Sequence, residues 1–125
     1  MLIGWILAQF IFTAHTIDRD ILYAAVATYI LIGGVFITVY GMIETLQPGS
    51  FLDTAFPDRP IVWQQLSYYS YVTLTTVGYG DILPRTMWAR SLATLEAITG
   101  VLYTTIIMAR LVSLYIQERN EQREI

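Results

Sequence analysis

The stretch Thr75-Thr76-Val77-Gly78-Tyr79-Gly80-Asp81 decides how this chain folds. Glycine at every second position, 78 and 80, does not sustain a helix. It favours an extended or alternating backbone, because glycine enters the positive-φ region without the strain that other residues meet there. The run leading into it, Ile61 to Thr76, is aromatic and hydroxyl-rich. That run is too short to cross a membrane and too apolar for a loop in water. The local reading is a short apolar helix that ends at an irregular, glycine-punctuated backbone.

Long apolar stretches lie on both sides. Ile21 to Ile43 contains no charge, and about 20 apolar residues rising ~1.5 Å each are enough to cross a bilayer core. Met87 to Ile116 is longer and is broken only by Arg90, Glu96 and Arg110. A third stretch, from Met1 to about Ile17, is apolar all round. It lacks the basic start and small-residue cleavage site of a signal peptide, and it reads as the end of a further membrane helix. Leu46-Gln47-Pro48-Gly49-Ser50 is a turn signal, and Phe51 to Pro60 reads as an exposed loop. Gln117 to Ile125 mixes both charge signs and reads as a tail, the frayed end of the last helix.

Composition supports a membrane setting. The chain is 55% hydrophobic and only 14% charged, against roughly 25% charged in an average soluble domain. One small core could not hide that much apolar surface. A soluble enzyme is therefore a poor reading, and no nucleophile–base pair stands out. Net charge is −3, which gives no general attraction to nucleic acid. There is no cysteine and a single histidine, so neither a disulfide nor a thiolate or histidine metal site is expected.

Residues 75–81 resemble the filter motif of potassium channels, whose TVGYG loops line an ion path with backbone carbonyls. The resemblance extends from Ile21 to about Ile116. It implies an all-α membrane protein whose pore domain covers 18–117. The outer helix would run over 21–46, a re-entrant pore helix over 63–75, the extended filter over 76–80 and the inner helix over 87–117. Residues 1–17 would form an N-terminal apolar helix, and 118–125 a cytoplasmic tail. Four copies around a four-fold axis would place the carbonyls of Thr76, Val77, Gly78 and Tyr79 on K⁺ ions, with the Thr76 hydroxyl at the inner mouth. Bare carbonyls at membrane depth are tolerated only where they line a cavity within protein. The partners implied are therefore three further copies, membrane lipid and K⁺, and no nucleic acid.

The same resemblance assigns supporting roles. Thr75, Gly80 and Asp81 would frame the filter, with Asp81 as a cation-attracting ring at the outer mouth or bonded to its neighbours. Tyr68 and Tyr69 fall where the family often has paired tryptophans. They would form an aromatic cuff bracing Tyr79, or simply pack the core. Gly100 stands where two-helix channels hinge the inner helix, although glycine also serves close helix packing. Val101, Thr104, Met108 and Val112 are the residues read as cavity lining and inner constriction.

Two positions depart from the pattern. Val72 stands where some family members carry a buried glutamate, so no carboxylate pair with Asp81 forms there. Glu96 instead sits inside the inner helix, and an intramembrane carboxylate is a functional suspect by default. It is read as bonding Ser70 or Thr73, or as protonated, with a direct part in conduction or gating as the alternative. By helical spacing Glu96, Gly100, Thr104 and Met108 share one face.

The inner-helix runs Leu95-Glu96-Ala97 and Ala109-Arg110-Leu111-Val112 resemble small bacterial potassium-channel proteins that carry two extra helices ahead of the outer one. On that reading the N-terminal residues end the second extra helix, the chain is a fragment, and it belongs in a bacterial inner membrane. The filter's polarity puts Pro48–Pro60 outside and Asp18-Arg19-Asp20 inside. The arginine count supports this weakly, with Arg19, Arg110, Arg119 and Arg123 inside against Arg59, Arg85 and Arg90 outside. No helix with an arginine at every third position is present in these residues, so no voltage sensor is read from them. The expected function is passive, K⁺-selective conduction. The rival readings are a subunit of a K⁺ transport system and a non-conducting, pore-like membrane protein.

Overall fold

The structure is a computed structural model that describes residues 2–13 and 19–123. Element order is α1 (Leu2–Thr13), α2 (Arg19–Leu46), β1 (Phe51–Asp53), α3 (Trp63–Leu74), β2 (Ile82–Pro84) and α4 (Met87–Arg123). By length and composition α2 and α4 are able to cross a membrane. Of the helix expected over 1–17, Leu2–Thr13 is helical. Met1, residues 14–18 and residues 124–125 lie outside the described residues.

The chain divides into two compact units, one of Met1–Leu31 with Leu102–Ile125 and the other of Ile32–Val101. Each long helix contributes residues to both. In the first unit a small core forms from Ile11, Ile21, Ala24 and Ala25, with Ile107 and Leu111 packed against it. Alanines at 24 and 25 leave room for α4 side chains to approach. The Tyr103 hydroxyl donates to the Ala25 carbonyl at 2.6 Å. Arg110 Nη2 donates to the Phe12 carbonyl in the last turn of α1, at 2.9 Å, where a cation complements the helix dipole.

The second unit has the larger core, built from Tyr40, Phe51, Leu66, Tyr69, Ile82, Ala89 and Ala93. Three of its rings form a closed triangle of edge-to-face contacts. Tyr40 to Phe51 is 5.1 Å, Phe51 to Tyr69 is 5.2 Å and Tyr40 to Tyr69 is 5.5 Å between centroids. Such pairs add roughly 0.5–1.5 kcal/mol each beyond the area they bury.

This core corrects the reading of Phe51 to Pro60 as an exposed loop. Phe51 is 4% exposed, and Phe51–Asp53 pairs antiparallel with Ile82–Pro84, so the helical fold carries a short two-stranded ladder. The reversal that permits this follows α2. Gly49, at φ 84°, turns the chain, and Glu44 accepts the N–H groups of Gly49 at 2.7 Å and Phe51 at 3.1 Å.

The inner helix also differs in length. It was expected to end at 117 but continues to Arg123, because the polar tail residues Gln117–Arg123 are all compatible with helix. Thr75, expected in the pore helix, is the residue that ends it, since α3 closes at Leu74.

Candidate functional site

The residues singled out around the glycine-rich motif lie in the second unit, on a segment suspended between α3 and β2. Its start is fixed by the last turn of α3. The N–H groups of Val77 and Gly78 both donate to the Val72 carbonyl, at 3.0 and 3.2 Å, and Thr76 N–H donates to the Thr73 carbonyl at 3.0 Å. These bonds turn the segment's donors back toward the helix. Among the described residues none donates a hydrogen bond to the carbonyls of Thr76, Val77, Gly78 or Tyr79. The segment is a strip of spare acceptors.

Its backbone alternates. Gly78 lies at φ 55° and Gly80 at φ 79°, as the spacing of the two glycines requires. Thr76 also sits at positive φ, 61°, which the sequence does not announce. A β-branched residue there is a true outlier, and such strain costs of order 1–3 kcal/mol. It persists where surrounding bonds overdetermine it, and here Thr76 N–H is held by Thr73 and the next two N–H groups by Val72. The one signal for Thr76 is its place two residues before Gly78, continuing the glycines' period.

The outer end is held as firmly. Tyr68 donates its hydroxyl to Asp81 Oδ2 at 2.8 Å, and Ile82 N–H donates to Oδ1 at 3.1 Å. The Asp81 carbonyl accepts both the N–H of Thr54, at 2.8 Å, and its hydroxyl, at 3.0 Å. The bond to Asp81 raises the Tyr68 phenol above its ordinary pKa, because ionisation would forfeit the donor and set two anions together. The rings of Tyr68 and Tyr79 stack, 1° apart in plane and 6.5 Å between centroids.

Tyr68 and Tyr69, read as one cuff, therefore take different places within the chain. Tyr68 faces Tyr79, whereas Tyr69 is buried in the triangle with Tyr40 and Phe51. The start of α3 is tied to β1: Gln65 Oε1 accepts Val62 N–H at 2.9 Å and Gln65 Nε2 donates to Asp53 Oδ2 at 2.5 Å.

Glu96 is fully buried. Ser70 Oγ lies 2.5 Å from its Oε1, and the Tyr40 hydroxyl donates to Oε2 at 2.5 Å. Ser70 is one of the two partners expected. The second partner is Tyr40 rather than Thr73, and sequence reasoning missed Tyr40 because it lies far off on α2.

Gly100 packs against the end of α3. A Cβ there would collide with the Leu74 carbonyl oxygen. Gly33 and Gly41 are similarly covered, by the rings of Tyr71 and Trp63. Along α4, Val101, Met108 and Val112 are each more than half exposed, and Thr104 is exposed too. Thr75, Val77 and Tyr79 are exposed as well, so this surface belongs to a chain with much apolar area uncovered.

A family model described as "Ion channel" matches residues 25–117. The chain is 31% identical over 87 residues to the potassium voltage-gated channel subfamily V member 1 of Rattus norvegicus, a match covering 70% of this chain and 16% of that protein. The human protein of the same name is 30% identical over the same length. The potassium channel protein kcv of Paramecium bursaria Chlorella virus 1 is 33% identical over 75 residues, covering 58% of this chain and 79% of that protein. The chain thus spans a small part of the voltage-gated relatives and most of the viral one.

Proposed function

Because the chain belongs to this ion-channel family and is a membrane protein, we propose that it forms the pore of a potassium channel, as a homotetramer that passes K⁺ down its gradient. Residues 76–80 are the selectivity filter. One chain offers a single column of carbonyls, from Thr76, Val77, Gly78 and Tyr79. Four columns around an axis make stacked rings that replace the hydration shell of K⁺. The observation that carries this reading is the alternation of backbone φ at Thr76, Gly78 and Gly80 on a segment whose carbonyls are otherwise unbonded. Unbonded carbonyls in an apolar setting are costly unless a ligand or partner takes them up.

The same reading assigns the supporting parts. The C-terminal end of α3 carries partial negative charge and favours a cation beneath the filter. Asp81 adds negative charge at the outer mouth while its bond to Tyr68 and the stacking of Tyr68 on Tyr79 brace the filter from behind. Val101, Thr104, Met108 and Val112, spaced along one face of α4, line the inner cavity.

Purification of the full chain, a mass estimate in detergent, and K⁺ against Na⁺ flux in liposomes test the proposal. A tetramer that passes K⁺, excludes Na⁺ and is blocked by Ba²⁺ is the expected result. A tetramer that passes both ions equally would overturn the selectivity, and a stable monomer would overturn the assembly.

A further inference from the structure

Glu96 brings a carboxyl from α4 into a wholly buried site between Ser70 of α3 and Tyr40 of α2. The titratable groups acting on it are Tyr40 and Tyr69, neither of which is a cation. Burying an ionised carboxylate without a cation is strongly unfavourable, and more so at membrane depth. The hydrogen count at the site points the same way.

Ser70 has one hydroxyl hydrogen and two oxygens within reach, Glu96 Oε1 at 2.5 Å and the Gly33 carbonyl at 3.2 Å. With an ionised carboxylate, Ser70 donates to Oε1, and its contact with Gly33 holds two oxygens with no hydrogen between them. With a hydrogen on Oε1, Glu96 donates to Ser70, Ser70 donates to the Gly33 carbonyl, and Tyr40 donates to Oε2. Every contact then contains one hydrogen and no charge is buried.

We propose that Glu96 carries a proton on Oε1 and, through Ser70, is the positioning residue that fixes the pore helix between α2 and α4. The consequence reaches the filter through the backbone. Ser70 lies just ahead of Val72, whose carbonyl holds the N–H groups of both Val77 and Gly78. A shift of α3 at Ser70 therefore moves the anchor from which the filter hangs. The part played in conduction rests on the pore reading above, whereas the proton itself does not.

Two measurements on the full chain separate these claims. Infrared difference spectroscopy of wild type against Glu96→Gln at neutral pH reads the proton directly. The expected result is loss of a carboxylic-acid C=O band in the variant. Loss of a carboxylate band instead overturns the proposal, whether or not the protein conducts. In liposomes, Glu96→Ala should lower the K⁺/Na⁺ flux ratio about fivefold or more with the mass in detergent unchanged, since it leaves buried hydroxyls unsatisfied.

Glu96→Gln, which keeps an acceptor for Tyr40 and a donor for Ser70, should rescue the ratio to within about twofold of wild type. A Gln variant as defective as Ala overturns the positioning role. If Glu96→Ala does not assemble, Ser70→Ala takes its place, with the same loss expected and an unchanged ratio counting against the proposal. A wild type that passes no K⁺ fails the pore reading, and the infrared band still decides the proton.

Discussion

The filter segment and the Glu96 site lie in the same unit and satisfy their polar groups in opposite ways. Around Glu96 every polar atom has a partner inside the chain, drawn from α2, α3 and α4. Along 76–78 the backbone N–H groups are used, and among the described residues the carbonyls of 76–79 are not. One region is complete in a single chain, and on the proposed pore reading the other is completed by an ion and neighbouring copies. On that reading the contrast separates where the fold keeps its stability from where it keeps its function. It also explains why positive φ occurs at three alternate residues of the filter, since a segment that gives up its acceptors gives up the regular structure that would have used them.

The sharpest way to break this contrast is to remove the backbone freedom on the unsatisfied side. Gly78→Ala puts a Cβ at φ 55°, where each such residue costs about 1–2 kcal/mol, repeated in four chains. The K⁺/Na⁺ flux ratio should fall by roughly a hundredfold or more, with the tetramer intact. Tyr79→Asp, which removes the ring stacked on Tyr68, should lower the same ratio. Unchanged reversal potentials in both variants would place selectivity elsewhere.

Gly100 tests the complete side. As a packing glycine it lets α4 reach the Leu74 carbonyl. As a hinge it would matter to motion more than to stability. Gly100→Val forces the backbones apart, at a cost of about 1–3 kcal/mol for overpacking, and the clash with a carbonyl puts it at the upper end. Thermal unfolding in detergent should show a clear drop in midpoint. A variant with wild-type stability and altered open time would favour the hinge.

How much of this was legible follows from the range of the interactions. The positive φ at 78 and 80 was readable because it is local: glycines at alternate positions admit it without strain. The spans were readable because burial in lipid needs only length and apolarity. The Phe51–Asp53 strand was not, because its partner Ile82–Pro84 lies on the far side of the pore helix and each strand has only three residues. Proline and aspartate after Phe51 advertised a loop, while the ring of Phe51 had a core position that only Tyr40 and Tyr69 together define. Tyr40 was missed at Glu96 for the same reason. Ser70 was found because it lies on the short helix that runs directly into the motif. The tail was read as the frayed end of the last helix, and its regular helix to Arg123 was not foreseen because charged residues suit an exposed helix and a frayed end equally.

Thr76 sharpens the contrast from a third direction, because it is strained and functional at once. Thr76→Gly relieves a positive φ that costs about 1 kcal/mol or more, so the unfolding midpoint should rise. The same change deletes the hydroxyl read as the inner ion ring, so K⁺ flux should fall. Stability and flux moving in opposite directions is the signature of strain kept for function. A variant that loses both would mean that the hydroxyl holds the fold rather than the ion.

The smallest effect is expected at the outer end, where the bond from Tyr68 to Asp81 is exposed. The phenol's pKa is raised above its ordinary value, chiefly by that bond. A raised folded value means that the bond's contribution is fully present below the unfolded pKa and disappears as pH climbs through the folded one. Neutral and mildly alkaline solutions should therefore leave the bond intact. Tyr68→Phe keeps the ring that stacks on Tyr79 and deletes only the donor. Flux should stay close to wild type near neutral pH, and the variant should lose the strongly alkaline change in filter stability that wild type shows. Equal alkaline behaviour in the two proteins would mean that Asp81 is held by Thr54 and Ile82 alone, and that the ring of Tyr68, not its hydroxyl, is what braces the filter.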